Sequence, residues 1–294
     1  MEFNIIILIG AVIIGFVVGC LTGIFGVGGG FLMTPALMII LGVPAPVSVG
    51  TGLATILPNC SYGMLRRRGS GTVDVKLAIT ISVGSVVGVL FGSQVMETLK
   101  DAPKALILGK QQDVLQYSML CMFLVLLAWI AGHLFYDYRK NGGKSPQKRT
   151  GLLARFKLSP YMHFASLEES RLSVLPLLIM GFCIGTLTGL MGVGGGVVML
   201  PSLIYLVGQR TGKATGTSLL LVWISSLVAV VRKGSAGQIS LYLFLALLAG
   251  GVAGTFIGTK IGLKLSGHRI RLYFVYVIIV AIGLIGYKLC VITF

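Results

Sequence analysis

Two glycine clusters carry the first chemical signal in this sequence. Gly26-Val27-Gly28-Gly29-Gly30 and Gly192-Val193-Gly194-Gly195-Gly196 each interrupt a long apolar stretch. Glycine is about 1 kcal/mol worse than alanine at a helical position, so such a run ends one helix and opens another. The opening turn of a helix presents N–H groups without intrahelical partners and roughly half a positive charge, which suits a small anion. Short polar side chains lie around the clusters: Thr22, Thr34, Thr51, Thr55, Asn59 and Ser61, then Thr188, Thr217, Ser218, Ser225 and Ser226. They can donate to an anion without adding charge, although hydrogen bonding between helices is the simpler role for most of them. Asn59 and Ser225 stand evenly between the two roles. Arg66 and Arg232 follow at equivalent positions, where topological anchoring comes first and recruitment of anions second. The candidate substrate-binding set is therefore Gly28, Gly29, Gly30, Gly194, Gly195, Gly196, Thr34, Thr51, Asn59, Thr217, Ser225, Arg66 and Arg232.

Other chemistries find no support. GVGGG follows no strand and opens no βαβ unit, so it is not a dinucleotide fingerprint, and Lys213 in TGKAT lacks the spacing of a P-loop. The acidic residues are Glu2, Asp74, Glu97, Asp101, Asp113, Asp137, Glu168 and Glu169, all at termini, loops or helix ends. His133, His163 and His268 are equally peripheral. A proton relay, a metal site or a nucleophile–base pair would need such groups inside the apolar segments. Catalysis, a metal and a cofactor are accordingly not expected. Cys20, Cys60, Cys121, Cys183 and Cys290 form no CxxC pair and read as ordinary packing residues.

The elements that must position the glycines are membrane helices. Of 294 residues, 55% are hydrophobic and 11% charged, and mean hydropathy is +0.96. A soluble domain carries about a quarter charged residues, whereas a spanning helix needs ~20 mostly apolar ones. Apolar segments fall at 4–24, 31–42, 47–65, 74–96 and 114–137, and again at 171–190, 197–208, 213–231, 239–259 and 270–291. The first reads as a retained helix, since it lacks a basic n-region and a small-residue cleavage site. Between the two sets lies a basic linker, 138–170, containing Arg139, Lys140, Lys144, Lys148, Arg149, Arg155 and Lys157. This divides the chain into a first transmembrane repeat (1–137), a cytoplasmic linker (138–170) and a second repeat (171–294). The formal net charge of +16 sits in short inter-helix segments, as topology-setting charge does. It points to a lipid bilayer as partner, and nothing supports nucleic acid. Oligomeric state is not legible.

The repeat can be checked directly. GCLTGIFGVGGGFLMTP (19–35) aligns with GTLTGLMGVGGGVVMLP (185–201) at an offset of 166, with eleven of seventeen residues identical. The same offset pairs Gly50-Thr51 with Gly216-Thr217, Arg66 with Arg232, Gly71 with Gly237, and Gly84, Gly88 and Gly92 with Gly250, Gly254 and Gly258. The last two sets are small-xxx-small stripes that let helices approach closely in lipid. The fold class is thus an all-α polytopic membrane protein of two homologous five-segment repeats. The second segment of each rises only ~18 Å against a ~30 Å hydrocarbon core, so it is a broken or re-entrant half-helix. If the first two segments pair, each unit crosses an odd number of times and the second copy is inverted. That arrangement places Arg66-Arg67-Arg68, Arg210/Lys213 and Lys260/Lys264/Arg269/Arg271 on the linker side. Eight crossings with parallel repeats would place two basic groups of the second unit outside.

The paired G-[IL]-[FM]-G-V-G-G-G-x-x-x-x-P segments, the following G-T-[GS] and the late G-x-[IV] resemble the sulfite exporter TauE/SafE family, also described as toluene-sulfonate uptake permeases. The resemblance covers about 5–97 and 171–291. It implies a secondary transporter, with export favoured, of small sulfur oxyanions such as sulfite or an organosulfonate across the bacterial inner membrane. Alternatives are a permease or channel for another small anion such as a carboxylate, and a sulfur-relay protein using Cys20 or Cys60. A scaffold would gain nothing from duplicated half-helices.

Overall fold

The computed structural model describes residues 5–67, 73–100, 105–107, 110–112, 114–140, 151–155, 159–164, 167 and 171–293. Its helices are α1 (Ile5–Phe25), α2 (Gly30–Ile39), α3 (Ala45–Arg67), α4 (Val75–Lys100), α5 (Val114–Lys140), α6 (Val174–Met191), α7 (Gly196–Ser202), α8 (Thr211–Ser235), α9 (Leu241–Lys264) and α10 (Gly267–Thr293). A π-helical stretch, Leu203–Val207, continues α7. Among the described residues, α1, α4, α5, α6, α8, α9 and α10 are long and apolar enough to cross a membrane. The 23-residue α3 matches them in length but carries Thr51, Pro58, Asn59, Arg66 and Arg67. α2 and α7 are short, as their residue counts require.

Four short strands depart from the all-α expectation: β1 (Ala105–Ile107) pairs with β2 (Lys110–Gln112), and β3 (Tyr161–His163) with β4 (Arg171–Ser173). The apolar segment starting at 171 therefore opens as a strand, and α6 begins only at Val174. There the Val174 N–H donates to the Pro160 carbonyl (3.0 Å), while Leu172 and Phe164 enter the core. Residues 141–150, 156–158, 165–166 and 168–170 of the expected linker lie outside the described residues, as do Arg68 and Gly71.

Helix directions follow from which glycines meet which backbones. A side chain at Gly15, Gly19 or Gly23 of α1 would strike Leu247, Gly251 or Thr255 of α9, and one at Gly250, Gly254 or Gly258 would strike Val12, Phe16 or Cys20. Both series ascend together, so α1 and α9 are parallel. Gly84, Gly88 and Gly92 of α4 meet Leu178, Phe182 and Thr186 of α6 in the same ascending order. The expected small-residue stripes are thus two interlocked helix pairs. Asn59 against Gly251 and Tyr62 beside Phe256 make α3 parallel to α9. Ser85 on Ser225 and Met96 on Lys233 make α4 parallel to α8. Ser61 with Trp223 and Gly63 with Leu219 make α3 antiparallel to α8. So α1, α3 and α9 point one way, and α4, α6 and α8 the other. α2 doubles back on α1: Gly29 abuts Val18 and Thr22, while Leu41, just beyond its end, reaches Gly10. The result is two bundles, α1–α2–α3–α9 and α6–α7–α8–α4, meeting along α3 and α8. Each takes one helix from the other half of the chain. Ile9, Val83, Leu245 and Tyr276 are among the exposed large side chains on the outer faces, as lipid contact requires.

Candidate functional site at the crossing of two helix breaks

Both breaks are built alike. Phe25 and Met191 end α1 and α6, and the next residues, Gly26 and Gly192, donate backbone N–H to Thr22 and Thr188 carbonyls at 2.9 Å in each case. The chain then turns through left-handed glycines, ending at Gly29 (φ 77°, ψ −10°) and Gly195 (φ 73°, ψ −16°). An L side chain disfavours that conformation by roughly 1–2 kcal/mol, and a Cβ at 195 would also lie 2.8 Å from Thr188 Oγ1. Gly29 accepts from Leu32 N–H and Met33 N–H (both 3.1 Å), and Gly195 from Val198 N–H (3.2 Å) and Met199 N–H (2.8 Å). These are the first turns of α2 and α7.

The two breaks touch. A Cβ on Gly30 would run into the Val193 backbone, and one on Gly196 into the Val27 carbonyl. Around them stand the middle residues of α3 and α8. Cys60 and Ile56 adjoin Gly28, and Ser226, Val222 and Ile56 adjoin Gly194. Cys60 and Ser226 sit at matching positions, a thiol on one side and a hydroxyl on the other. Ser226 is fully buried and its Oγ has no hydrogen-bond partner. Where the breaks leave the centre, each receives one hydroxyl from the opposite bundle: Ser218 Oγ donates to the Gly26 carbonyl (2.5 Å) and Thr34 Oγ1 to that of Gly192 (3.2 Å).

Gly28, Gly29, Gly30, Gly194, Gly195 and Gly196 therefore come together at mid-height, with Thr34 beside them. The remaining candidates lie elsewhere. Thr51 Oγ1 accepts from the Ser240 N–H and Thr217 Oγ1 from the Asp74 N–H, so these hydroxyls hold the starts of α9 and α4. Ser225 Oγ is bonded to Ser85 Oγ (2.7 Å) and to the Leu221 carbonyl (2.9 Å). The Asn59 amide is buried and unpartnered but wedged against Gly251 of α9, away from the breaks. Arg66 is exposed on Tyr62 and Phe256, and Arg232 reaches Gln94 (2.7 Å) and Glu97 (3.4 Å).

Two buried cations stand one residue beyond those arginines. Arg67 donates to the Gly23 carbonyl (2.9 Å) and to Thr215 Oγ1 (3.0 Å), and Lys233 Nζ lies 2.8 Å from Met96 Sδ. No helical signal singles out Arg67: from Asn59, position 66 is turned by about 20° and position 67 by about 80°. Among the described residues, no group of three or more His, Cys, Asp or Glu is placed to hold a metal ion.

A family model described as "Sulfite exporter TauE/SafE" matches residues 11–285. Similar proteins include the "Probable membrane transporter protein YjnA" of Bacillus subtilis, 24% identical over 92% of this chain and 96% of that one. The "Probable membrane transporter protein MJ0441" of Methanocaldococcus jannaschii is 25% identical over 92% and 93%, and a "Probable membrane transporter protein" of Xylella fastidiosa (strain Temecula1) 24% over 90% and 89%. No solved structure matches.

Proposed function

This chain belongs to the sulfite exporter TauE/SafE family, a multi-pass membrane transporter family, and from that premise we propose that it exports sulfite or a small organosulfonate across the bacterial inner membrane as a secondary transporter. The observation that carries the reading is the meeting of two glycine breaks halfway along α3 and α8, against the unpartnered Ser226 hydroxyl. Helix openings at the junction of two corresponding halves are how secondary transporters bind substrate near the bilayer midplane. The α2 opening offers backbone donors and positive dipole to an oxyanion, and Ser226 offers one neutral donor. A compact anion with several acceptor oxygens and a single charge or two fits this set better than a cation or an apolar solute.

We further propose that the halves are inverted copies of one unit. The opposed directions of α1 and α6, and the exchange of α4 and α9 between bundles, support it. Substrate enters when the bundles part on one face and leaves when they part on the other.

The test is a panel of sulfite, sulfate, taurine, sulfoacetate and acetate scored by thermal stabilisation of the purified protein. A ligand present at about 100 times its Kd stabilises by about 2.7 kcal/mol. Stabilisation by sulfite or sulfoacetate is expected, with saturable flux in proteoliposomes. Stabilisation by acetate alone would transfer the assignment to carboxylates.

A further inference from the structure

The C-terminal ends of α3 and α9 form a feature that the proposed transport site leaves out. Arg66 Cζ lies 4.9 Å and Lys260 Nζ 4.0 Å from the centre of one ring, that of Phe256. Arg66 Nε also donates to the Tyr62 hydroxyl (2.9 Å), whose ring tilts against Phe256. Both cations are exposed, and neither has an ion-pair partner among the described residues. From this pair of rings an open groove of about 660 Å³ runs along α9 over Leu248, Ala249, Val252, Ala253 and Ile257. Ala249 and Ala253, one turn apart, make it concave.

We propose that this groove binds an anionic phospholipid. The phosphate sits between Arg66 and Lys260, the Tyr62 hydroxyl lies beside it, and one acyl chain lies along α9. Charge complementarity selects the headgroup, because two cations with no ion-pair partner among the described residues stand at one end of an apolar surface. Length selects the chain, since Leu248 to Phe256 rises ~12 Å, close to one leaflet of a ~30 Å hydrocarbon core. A soluble acidic protein would meet the cations but leave the groove empty. A neutral lipid would fill the groove but leave the net charge unmatched. Stacking on Phe256 holds both long side chains in place before the lipid arrives, which lowers the ordering cost of binding.

The experiment uses the full chain, delipidated in detergent, with phosphatidylglycerol, phosphatidylcholine or inorganic phosphate added. Lipid retention is read by native mass spectrometry and stability by thermal unfolding. Phosphatidylglycerol is expected to be retained and to raise the unfolding temperature, with phosphatidylcholine weaker and inorganic phosphate without effect. Arg66→Gln/Lys260→Gln should weaken phosphatidylglycerol retention by about tenfold or more, and Lys264→Gln on the same helix should not. Ala253→Leu keeps both charges and blocks the groove, so it should lose retention too and serves as the second variant if the double one fails to fold. Equal retention of both lipids, or undiminished retention in Ala253→Leu, overturns the proposal.

Discussion

At the residue scale, the two serines at 225 and 226 differ in whether their hydroxyls are already bonded. Ser225 spends its hydroxyl on Ser85 and Leu221, whereas Ser226 is buried beside Gly194 with no partner. Removing a bonded hydroxyl costs about 1 kcal/mol, while removing a buried orphan is neutral or stabilising. Ser225→Ala should therefore lower the unfolding temperature with transport largely intact. Ser226→Ala should leave or raise that temperature while cutting the initial rate of sulfite flux by about tenfold. Thermal unfolding and proteoliposome uptake on the same preparations distinguish them, and an unaffected rate in Ser226→Ala would remove the hydroxyl from the site. The glycines were legible in the sequence because each has a backbone reason to be glycine: positive φ with side chains crowded close at Gly29 and Gly195, and contact with the opposite break's backbone at Gly30 and Gly196. The hydroxyls were not. Which serine faces the break depends on the rotation of α8, and an apolar helix with polar residues on adjacent positions does not declare its phase. Arg66 entered the candidate set through its repeat partner Arg232; Arg67 and Lys233 share the same offset, and they are the pair that the fold buries.

At the element scale, the stripes on α1, α4, α6 and α9 decide how the halves interlock. Gly88 lies against the Phe182 carbonyl, so a side chain there must separate α4 from α6. Overpacking costs about 1–3 kcal/mol even where side chains can yield, and a backbone yields less. Gly132 of α5 has open space around it. Gly88→Leu is expected to lose about 3 kcal/mol or more, or to fail to yield a monodisperse protein, while Gly132→Leu behaves as wild type in the same size-exclusion and thermal-unfolding assays. Similar losses in both would mean that the stripe is not the contact. Helix number and length were readable from hydropathy because lipid allows backbone polarity to be met in few ways. The Tyr161–His163 and Arg171–Ser173 pair was not, since three-residue strands carry no periodicity. Nor does a single half-length segment reveal that it doubles back. That direction appears only in the contacts of Gly29 with Val18 and of Leu41 with Gly10.

At the scale of the whole molecule, hydrogen bonds cross between the bundles on both sides of the breaks, and one more, from Trp223 Nε1 to Ser61 Oγ, crosses level with them. Toward the ends of α1, α3 and α9, Arg67 donates to Thr215 and Ser218 to the Gly26 carbonyl. Toward the other face, Thr34 donates to the Gly192 carbonyl. With both sets closed, the centre is sealed from either side, as the full burial of Cys60 reflects. A transporter that alternates must break one set while keeping the other. A hydrogen bond to a charged group contributes about 1.5–3 kcal/mol and a neutral one about 1, so the two sets are unequal. Thr215→Val/Ser218→Ala removes the stronger set and should shift the population toward opening on the Arg67 face by about 30-fold or more. Thr34→Val should open the other face by about fivefold. Cys60 reports both, because it sits at mid-height against Gly28. With Cys20, Cys121, Cys183 and Cys290 replaced, a water-soluble thiol reagent is applied to each side of oriented vesicles. Labelling of Cys60 should rise from opposite sides in the two variants. Labelling from the same side in both would mean that these bonds hold the fold together without gating it, and the two-bundle account of transport would fail with them.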